Sequence, residues 1–401
     1  MKTVIEPEKK LNVAKDYDTV VCGGGIAGIA AALASARHGA KTLLIEREFL
    51  LGGLATAGLI AIYLPLCDGC GHQVSFGIAE ELLRLSVKHG TDLNYGMPEA
   101  WFDPNGSVED RTKKRFRTDY NPQIYACDLE AALNEAGVDL LYGTVVANTL
   151  VSDGKITHLV LENKSGRSAV AVKTVVDATG DADIVHQSGE NEALYGPGNK
   201  LAGWYYSLTD GKPAIHMLGA KDIADDEFGD EETPLVDRRF GSIDADELTE
   251  QVQLSHKVSS SHFFENGELS EHYSMITLPT IPQVRMTRRI DGDSVLEYED
   301  MHKEFPDSVG LFGNWKKRGP VYELRFSALH GSKVRNLICA GRNISSTDDM
   351  WEITRVIPVC AVSGQAAGTA AAMYHDFTEV NVSVLQDTLK KDGVVLHESE
   401  L

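Results

Sequence analysis

Positive charge is scarce in this sequence: 38 Lys and Arg stand against 59 Asp and Glu, a formal net charge of −21. Phosphate backbones and anionic lipid surfaces repel such a chain, which argues against nucleic acid and membrane partners. It does not argue against an anionic substrate, because a local group of arginines overrides the global field. Long apolar runs are also missing. No segment approaches the roughly 20 residues of a membrane-spanning helix. The opening Met1-Lys2-Thr3-Val4-Ile5-Glu6-Pro7 has no hydrophobic stretch of signal-peptide length. Cysteine is sparse, at positions 22, 67, 70, 127, 339 and 360, and mostly embedded in apolar runs. That is the usage of reduced thiols serving as small hydrophobes. The cytoplasm is the expected compartment. Internal repeats and low-complexity tracts are absent.

What is present is an α/β pattern in a 401-residue chain, a length that suggests about two or three domains. Residues 17–22 read as a strand ending in glycines, 26–38 as an Ala-rich helix stopped by Gly39, and 41–45 as a second strand ending at Glu46. Asp128 is a candidate cap for a helix to Glu135, ended by Gly137. Residues 138–150 read as one strand. Two hairpin signals follow, Ser152-Asp153-Gly154-Lys155 and Asn163-Lys164-Ser165-Gly166. Then comes a strand at 173–176 that runs into Asp177-Ala178-Thr179-Gly180. The result is a β-meander set between elements of a parallel sheet. Residues 190–330 mix acidic loops (222–232 and 244–250) with short β-prone runs such as 274–278, punctuated by Pro279, Pro282 and Pro306. Finally 336–340 reads as a strand, Gly341-Arg342 as a turn and 360–374 as an Ala-rich helix.

The strongest motif is Gly23-Gly24-Gly25-Ile26-Ala27-Gly28, a G-x-G-x-x-G between a strand and a helix. Gly23 permits the tight turn, Gly25 the approach of a pyrophosphate, and Gly28 close helix–strand packing. The helix start offers free N–H groups to negative charge. Glu46, 18 residues on from Gly28, is placed to accept a ribose hydroxyl and to disfavour a 2′-phosphate. The bland alternative is a glycine turn used only for packing. A second glycine segment, Leu51-Gly52-Gly53-Leu54-Ala55-Thr56, and two further strand ends, Asp177-Ala178-Thr179-Gly180-Asp181 and Cys339-Ala340-Gly341-Arg342, follow in order. A simple NAD dehydrogenase needs none of these.

Through these stretches, together with Pro282-Gln283-Val284-Arg285-Met286-Thr287-Arg288-Arg289, Ala340-Gly341-Arg342-Asn343-Ile344-Ser345 and residues 355–371, the chain resembles the FAD-dependent oxidoreductases of the glutathione-reductase-like flavoproteins. The fumarate-reductase-like and thiazole-synthesis-like branches are nearer, and the resemblance covers nearly the whole chain. It implies extended FAD, with pyrophosphate at Gly23, Gly25, Ile26, Ala27 and Gly28 and ribose on Glu46 beside Arg47. The adenine would meet the backbone of Val146. The isoalloxazine would face Gly52, Gly53, Leu54, Ala55 and Thr56 and the final helix with Pro358 and Gln365. Ala178, Thr179, Gly180, Gly341 and Arg342 complete the expected cofactor set. The positive end of the final helix would stabilise a reduced flavin at N1–C2=O.

The expected fold is therefore α/β: a discontinuous Rossmann-type FAD-binding domain with a β-meander crossover (1–60, 105–190 and 330–401) and a mixed α+β substrate or cap domain (61–104 and 191–329). The expected function is hydride transfer between a small organic substrate and flavin N5. The alternatives are a structural or non-redox FAD and an electron-transfer subunit. With no second G-x-G-x-x-G, electrons must come from or go to a separate small molecule, protein or oxygen; association into a homo-oligomer is open. Arg285, Arg288 and Arg289 form an R-x-x-R-R suited to a carboxylate or developing oxyanion, or else to ion pairs with Asp291, Asp293 or Glu297. Cys67-Asp68-Gly69-Cys70 is a C-x-x-C in a Gly-rich loop, with a redox or metal role disfavoured. Only His72 is near, so no metal is expected. General-base candidates are His72, His262, His272, His302, His330 and Tyr322; His330, just before the 336–340 strand, is the favoured one. Trp315 and Trp351 are read first as core residues.

Overall fold

The computed structural model describes residues 3–91, 96–219 and 234–401. The acidic run at 222–232 lies outside the described residues. The strand Val13–Cys22 ends in a run, Val20 to Cys22, that is almost wholly buried. This is the pattern of a parallel strand covered on both faces. The helix Ile26–Arg37 follows, and Thr42–Ile45 returns parallel to the first strand, with Cys22 opposite Ile45. Asp139–Leu141 extends the parallel sheet beyond Thr42–Ile45. On the other side, Gly166–Asp177 lies parallel to the first strand with Cys22 opposite Asp177, and Leu337–Cys339 lies parallel outside it. Strands Val145–Ser152 and Lys155–Asn163 join the first half of Gly166–Asp177 as an antiparallel meander. The strand ends at Cys22, Ile45, Asp177 and Cys339 thus gather at one sheet edge, where open α/β sheets bind ligands.

Two Ala-rich helices cross beside this sheet. A Cβ on Gly364 or Gly368 of the helix Ile357–Met373 would come within 2.3 or 2.1 Å of the carbonyl oxygens of Ala27 and Ala31. Only glycine permits so close a crossing. Nearly all of Ile357–Met373 is buried. Among the described residues no single helix is long and apolar enough to cross a membrane; Asp348–Thr354 and Ile357–Met373 meet that description only as a pair bent by 89°.

Above the cleft edge lies a three-stranded antiparallel sheet in the order Lys212–Gly219, Ala202–Thr209, Tyr273–Thr277. Its Trp204 packs on Ile60 and Leu54. The long helix Ala245–Glu265 covers the opposite face, where Gly203 meets Val258 and Ser259.

The structure corrects several boundaries. Residues 244–250 are not a loop: Asp244 accepts from the N–H groups of Asp246 and Glu247 and starts the helix Ala245–Glu265. Acidic residues at a helix start complement its positive end, so this charge run was a helix signal. The helix assigned to 128–135 is Pro122–Glu135, capped by Asn121 rather than Asp128, with Pro122 at the first helical position, where its missing N–H costs nothing. The single strand expected at 138–150 breaks in two at Gly143, whose φ of +57° ends the parallel strand before the meander begins. The final core helix starts at Ile357, three residues before Cys360.

Candidate functional site

A cleft at the gathered strand ends encloses about 1470 Å³ of space, counted to its open mouth. The glycine turn forms its centre. Gly23 has φ +107°, and a Cβ there would strike the carbonyl of Ala178 at 2.4 Å. A Cβ on Gly28 would lie 1.8 Å from the carbonyl oxygen of Gly23. Gly28 is thus a packing residue behind the cleft and not part of its wall. At Gly25 a Cβ would meet no atom within 4 Å; the glycine there keeps space open instead of relieving a clash. Ile26 and Ala27, at the start of the helix, line the same space. No side chain caps this helix start, which leaves backbone N–H groups for an anion.

Glu46 is 7 % exposed and held from both sides: Oε2 accepts from Gly24 N–H at 2.6 Å and Oε1 from Glu48 N–H at 2.8 Å. Its carboxylate borders the cleft with Arg47, Thr144, Val145 and Val146. The carbonyl of Val146 accepts from Gln187 Nε2 at 3.0 Å. Beyond Glu46 the chain turns through Gly52 (φ +103°) and Gly53 (φ +55°). Gly52 donates to Gly24 O at 2.8 Å, which ties the two glycine turns together. Leu54 and Ala55 line the cleft. Thr56 lies behind them, its hydroxyl on the carbonyl of Leu51, and Tyr120 braces the loop by donating to Ala55 O and Ile60 O at 3.0 and 3.1 Å.

The third strand end is organised by Asp177. Its fully buried carboxylate accepts from Thr179 N–H and Oγ1 and from the N–H groups of Ile184 and Val185 at 2.7–3.1 Å. Burial outweighs these bonds and raises its pKa above the usual aspartate range. Ala178, Thr179 and Gly180 are thereby set on the cleft wall beside Asp181 and Asp183. Asp183 is pushed up to about 6 by burial and then by the neighbouring Asp181 and Asp177 carboxylates, against the pull of Arg288. Gly341 and Arg342 complete this side; Arg342 rests against Gly180, donates to Arg285 O at 2.7 Å and pairs with Asp181 at 3.4 Å.

At the far end from Glu46 the wall is formed by Leu54, Ile281, Pro282, Val284, Arg355, Ile357 and Cys360. Here Ile357–Met373 begins without a side-chain cap. Burial pushes the Cys360 thiol up to about 12, opposed by Arg342 and Arg355. Pro358 is buried in the first turn, off the wall. Gln365 also points elsewhere: its Oε1 accepts from Ile78 N–H at 2.8 Å and anchors the helix Ile78–Ser86.

The residues singled out for catalysis are not on this wall. Arg285 is buried, and its backbone holds Asn199, Arg342 and Trp351. Arg288 pairs with Asp183 at 2.7 Å, and Arg289 faces Asp291 at 3.7 Å and stacks over Tyr195. These are structural ion pairs, because the strand Arg288–Ile290 pairs with Glu192–Leu194 and turns both guanidinium groups to local acids. His330 is 5 % exposed and packed on Phe326, with Asp293 at 3.8 Å. Among the described residues no histidine or tyrosine lines the cleft, so none of the base candidates borders it. His72 pairs with Asp68, His262 meets Tyr205, His272 lies beside Glu271, His302 pairs with Glu398, and Tyr322 stacks on Phe312. Cys67 and Cys70 are free thiols, and no group of metal-ligand geometry occurs among the described residues. Asp181, Asp183 and Arg355 also line the cleft but were not among the expected site residues, although Asp181 ends one of the strand-end segments singled out above and Arg355 opens the 355–371 stretch.

A family model described as FAD dependent oxidoreductase matches residues 18–200 and 244–389. Thiamine thiazole synthase from Methanococcus vannielii is 30% identical over 179 residues, 42% of this chain and 59% of that protein. The tRNA uridine 5-carboxymethylaminomethyl modification enzyme of Streptococcus pyogenes serotype M18 is 27% identical over 201 residues, 47% of this chain and 28% of that protein. The chain thus covers less than two thirds of either relative. Among solved structures, a geranylgeranyl bacteriochlorophyll reductase-like protein from Thermoplasma acidophilum aligns with a TM-score of 0.48 at 14% identity, over 94% of this chain and 84% of that one.

Proposed function

The chain belongs to the FAD dependent oxidoreductase family, and on that premise we propose that it moves a hydride between a small organic substrate and N5 of its FAD. The observation that carries this reading is the two-ended cleft. The open space at Gly25 suits a pyrophosphate, and the fixed Glu46 carboxylate suits a ribose. With Val145 and Val146 beyond Glu46, the adenine belongs at that end. The isoalloxazine is then left with the opposite end, between Gly52-Gly53-Leu54-Ala55 and the start of Ile357–Met373.

When bound, FAD supplies a two-electron acceptor or donor. This chain's residues do the rest. Backbone N–H groups at Ile26 and Ala27 hold negative charge. Uncapped N–H groups at the start of Ile357–Met373 favour electron density on the neighbouring ring edge. Leu54, Ile281, Pro282 and Val284 keep water from the reacting carbon. No histidine or tyrosine borders the cleft among the described residues, so the proton given up by a substrate would pass to water at the open mouth or to the Asp181 and Asp183 carboxylates on the wall.

One nucleotide-binding turn implies a separate electron partner, either a diffusible molecule or another protein. The six free cysteines support a reducing compartment, and we place the reaction in the cytoplasm. The test is anaerobic bleaching of the bound flavin by panels of hydroxy acids, amino acids and sugars. Bleaching by one class and reoxidation by a separate acceptor is the expected result. Rapid stoichiometric bleaching by NADH alone would overturn the separate-partner reading. Flavin that no small molecule reduces or reoxidises would favour a structural cofactor or an electron-transfer subunit.

A further inference from the structure

The helix Ala245–Glu265 runs from the cofactor cleft to a pair of histidines. Near its start Leu248, with Ser242 just ahead of the helix, borders the cleft. Along its 21 residues only Gln251, Ser259 and Phe263 are buried. So narrow an apolar seam gives the helix little grip on the sheet beneath it, and polar contacts must supply the rest. Ser255 Oγ donates to Ala202 O at 2.6 Å, and the Tyr273 hydroxyl to Phe263 O at 2.8 Å. The third contact is titratable. The Tyr205 hydroxyl bonds to His262 Nδ1 at 2.8 Å, and the Tyr205 ring stacks on His216 with centres 4.4 Å apart and 12° between planes. His216 Nε2 in turn bonds to Ser207 Oγ at 2.7 Å. The centres of the two imidazoles are 5.4 Å apart. On the same face Tyr273 acts on Tyr205 from the third strand, and Lys212 lies opposite Thr209, adding positive charge. Glu265, one helical turn beyond His262, is exposed. Among the described residues no carboxylate hydrogen-bonds or ion-pairs with either imidazole.

With both rings neutral the cluster is satisfied, because the Tyr205 hydroxyl donates and His262 Nδ1 accepts. Protonation removes that acceptor and sets two like charges face to face at the seam. Burial, and then the neighbouring His262, hold His216 below the usual histidine value. A group shifted in this direction supports the seated helix fully above the ordinary histidine pKa, and the support is lost as pH falls below it. We propose that His216 and His262 form an acid-released latch: neutral, they seat the helix Ala245–Glu265 on its sheet; protonated, they free it, and Ser242 and Leu248 withdraw from the cofactor cleft. At 1.5 Å per residue the helix is about 30 Å long, so it carries a displacement at His262 to the lip of the cleft as a lever. Neither histidine touches the ligand in this arrangement. Only the flavin readout below rests on the FAD reading above.

The test is amide hydrogen exchange of the full chain, comparing residues 245–265 with the core helix at 357–373 at about pH 7.5 and about pH 5.5. An imidazole of ordinary pKa, about 6.5, that takes its proton only when the helix is unseated raises the unseated fraction about tenfold over this interval, and two such groups about 100-fold. Protection of 245–265, corrected for the intrinsic pH dependence of exchange, should therefore fall about 10- to 100-fold in acid, with 357–373 unchanged. His262→Gln keeps an oxygen that accepts from Tyr205 and removes the repulsion, so its acid response should be several-fold smaller. Replacing both histidines with Gln should abolish the response, and His262→Gln alone is the readout if the double variant melts early at about pH 7.5. With FAD loaded, quenching of flavin emission by iodide should rise at the same pH as protection is lost. An undiminished response in His262→Gln, no loss of protection in the unaltered chain, or equal loss at 245–265 and 357–373 would each overturn the proposal, the last because the whole chain then loosens in acid. Unseating without a rise in quenching would refute the lever to the cleft. A preparation that takes up no FAD overturns the cofactor reading instead and leaves the exchange result to decide the latch.

Discussion

Gly25→Ala separates folding from cofactor binding at a single methyl group. The backbone at Gly25 has φ −71° and ψ 177°, extended values open to any residue. A Cβ there would meet nothing within 4 Å, so the folded chain has no clash to relieve. Alanine restricts the unfolded chain, which stabilises by about 0.4–1 kcal/mol, and it is a poorer helix cap than glycine by an amount of similar size, about 1 kcal/mol or less. The two nearly cancel, and the FAD-free variant should melt close to the unaltered protein. The methyl does, however, project into the space assigned to the pyrophosphate. A phosphate oxygen must reach an N–H at roughly 2.9 Å, and the methyl holds it away. Losing one to two charge-assisted bonds of about 1.5–3 kcal/mol each amounts to about 3 kcal/mol, or somewhat more than a 100-fold loss of FAD affinity. The assay is a fluorescence titration of the apoprotein with FAD beside a thermal melt of the same sample. Gly28→Ala is the contrasting control. Its Cβ would sit 1.8 Å from the Gly23 carbonyl oxygen, a backbone atom that cannot step aside, and overpacking of this kind costs about 1–3 kcal/mol or more whether or not FAD is present. If Gly25→Ala binds FAD with unaltered affinity, the pyrophosphate does not lie at this turn and the reasoning fails.

Three further outcomes are expected. Glu46→Gln puts an amide NH2 against the N–H of either Gly24 or Glu48; one unsatisfied group costs about 1–3 kcal/mol of folding stability, so a thermal melt of the FAD-free variant should fall below that of the unaltered protein, and an unshifted melt would contradict the two-sided hold on this carboxylate. Asp183 has its folded pKa raised to about 6 from 3.8, so its contribution to stability is fully present below the unfolded value and is lost as pH rises through about 6. Urea midpoints of the unaltered protein should therefore fall relative to Asp183→Asn between about pH 4 and pH 7, whereas parallel curves would show that burial does not set this titration. Gly368→Ala drives a Cβ to 2.1 Å from Ala31 O; the helix crossing must open, at about 1–3 kcal/mol, and a melt no lower than that of the unaltered protein would contradict the close crossing.

Local chemistry was legible in the sequence wherever a short segment carries its own reason. Gly23, Gly25 and Gly28 each answer to a turn, a ligand or a packing contact within six residues of chain, and Glu46 is fixed by strand length alone. The hairpins at 152–155 and 163–166 follow from turn residues, and so does the meander. The family and its cofactor were readable for the same reason, as a series of strand ends in a set order. The helix Ala245–Glu265 was missed because its capping acids look like a solvated loop until the chain is seen to coil behind them.

The wall of the cleft was decided by tertiary structure. Arg285, Arg288 and Arg289 form a compact basic cluster in the sequence, yet pairing of Arg288–Ile290 with Glu192–Leu194 turns Arg288 and Arg289 to Asp183 and Asp291. Arg355 borders the cleft with its guanidinium over Trp351, from its own helix, and Trp315, from a distant segment. Gln365 has the sequence position of a cofactor contact but serves the helix Ile78–Ser86. The sequence determines where a chain turns and which backbone groups it leaves free, because those depend on neighbours a few residues apart. Which side chain faces a ligand depends on partners up to hundreds of residues away, and only the packed fold supplies them.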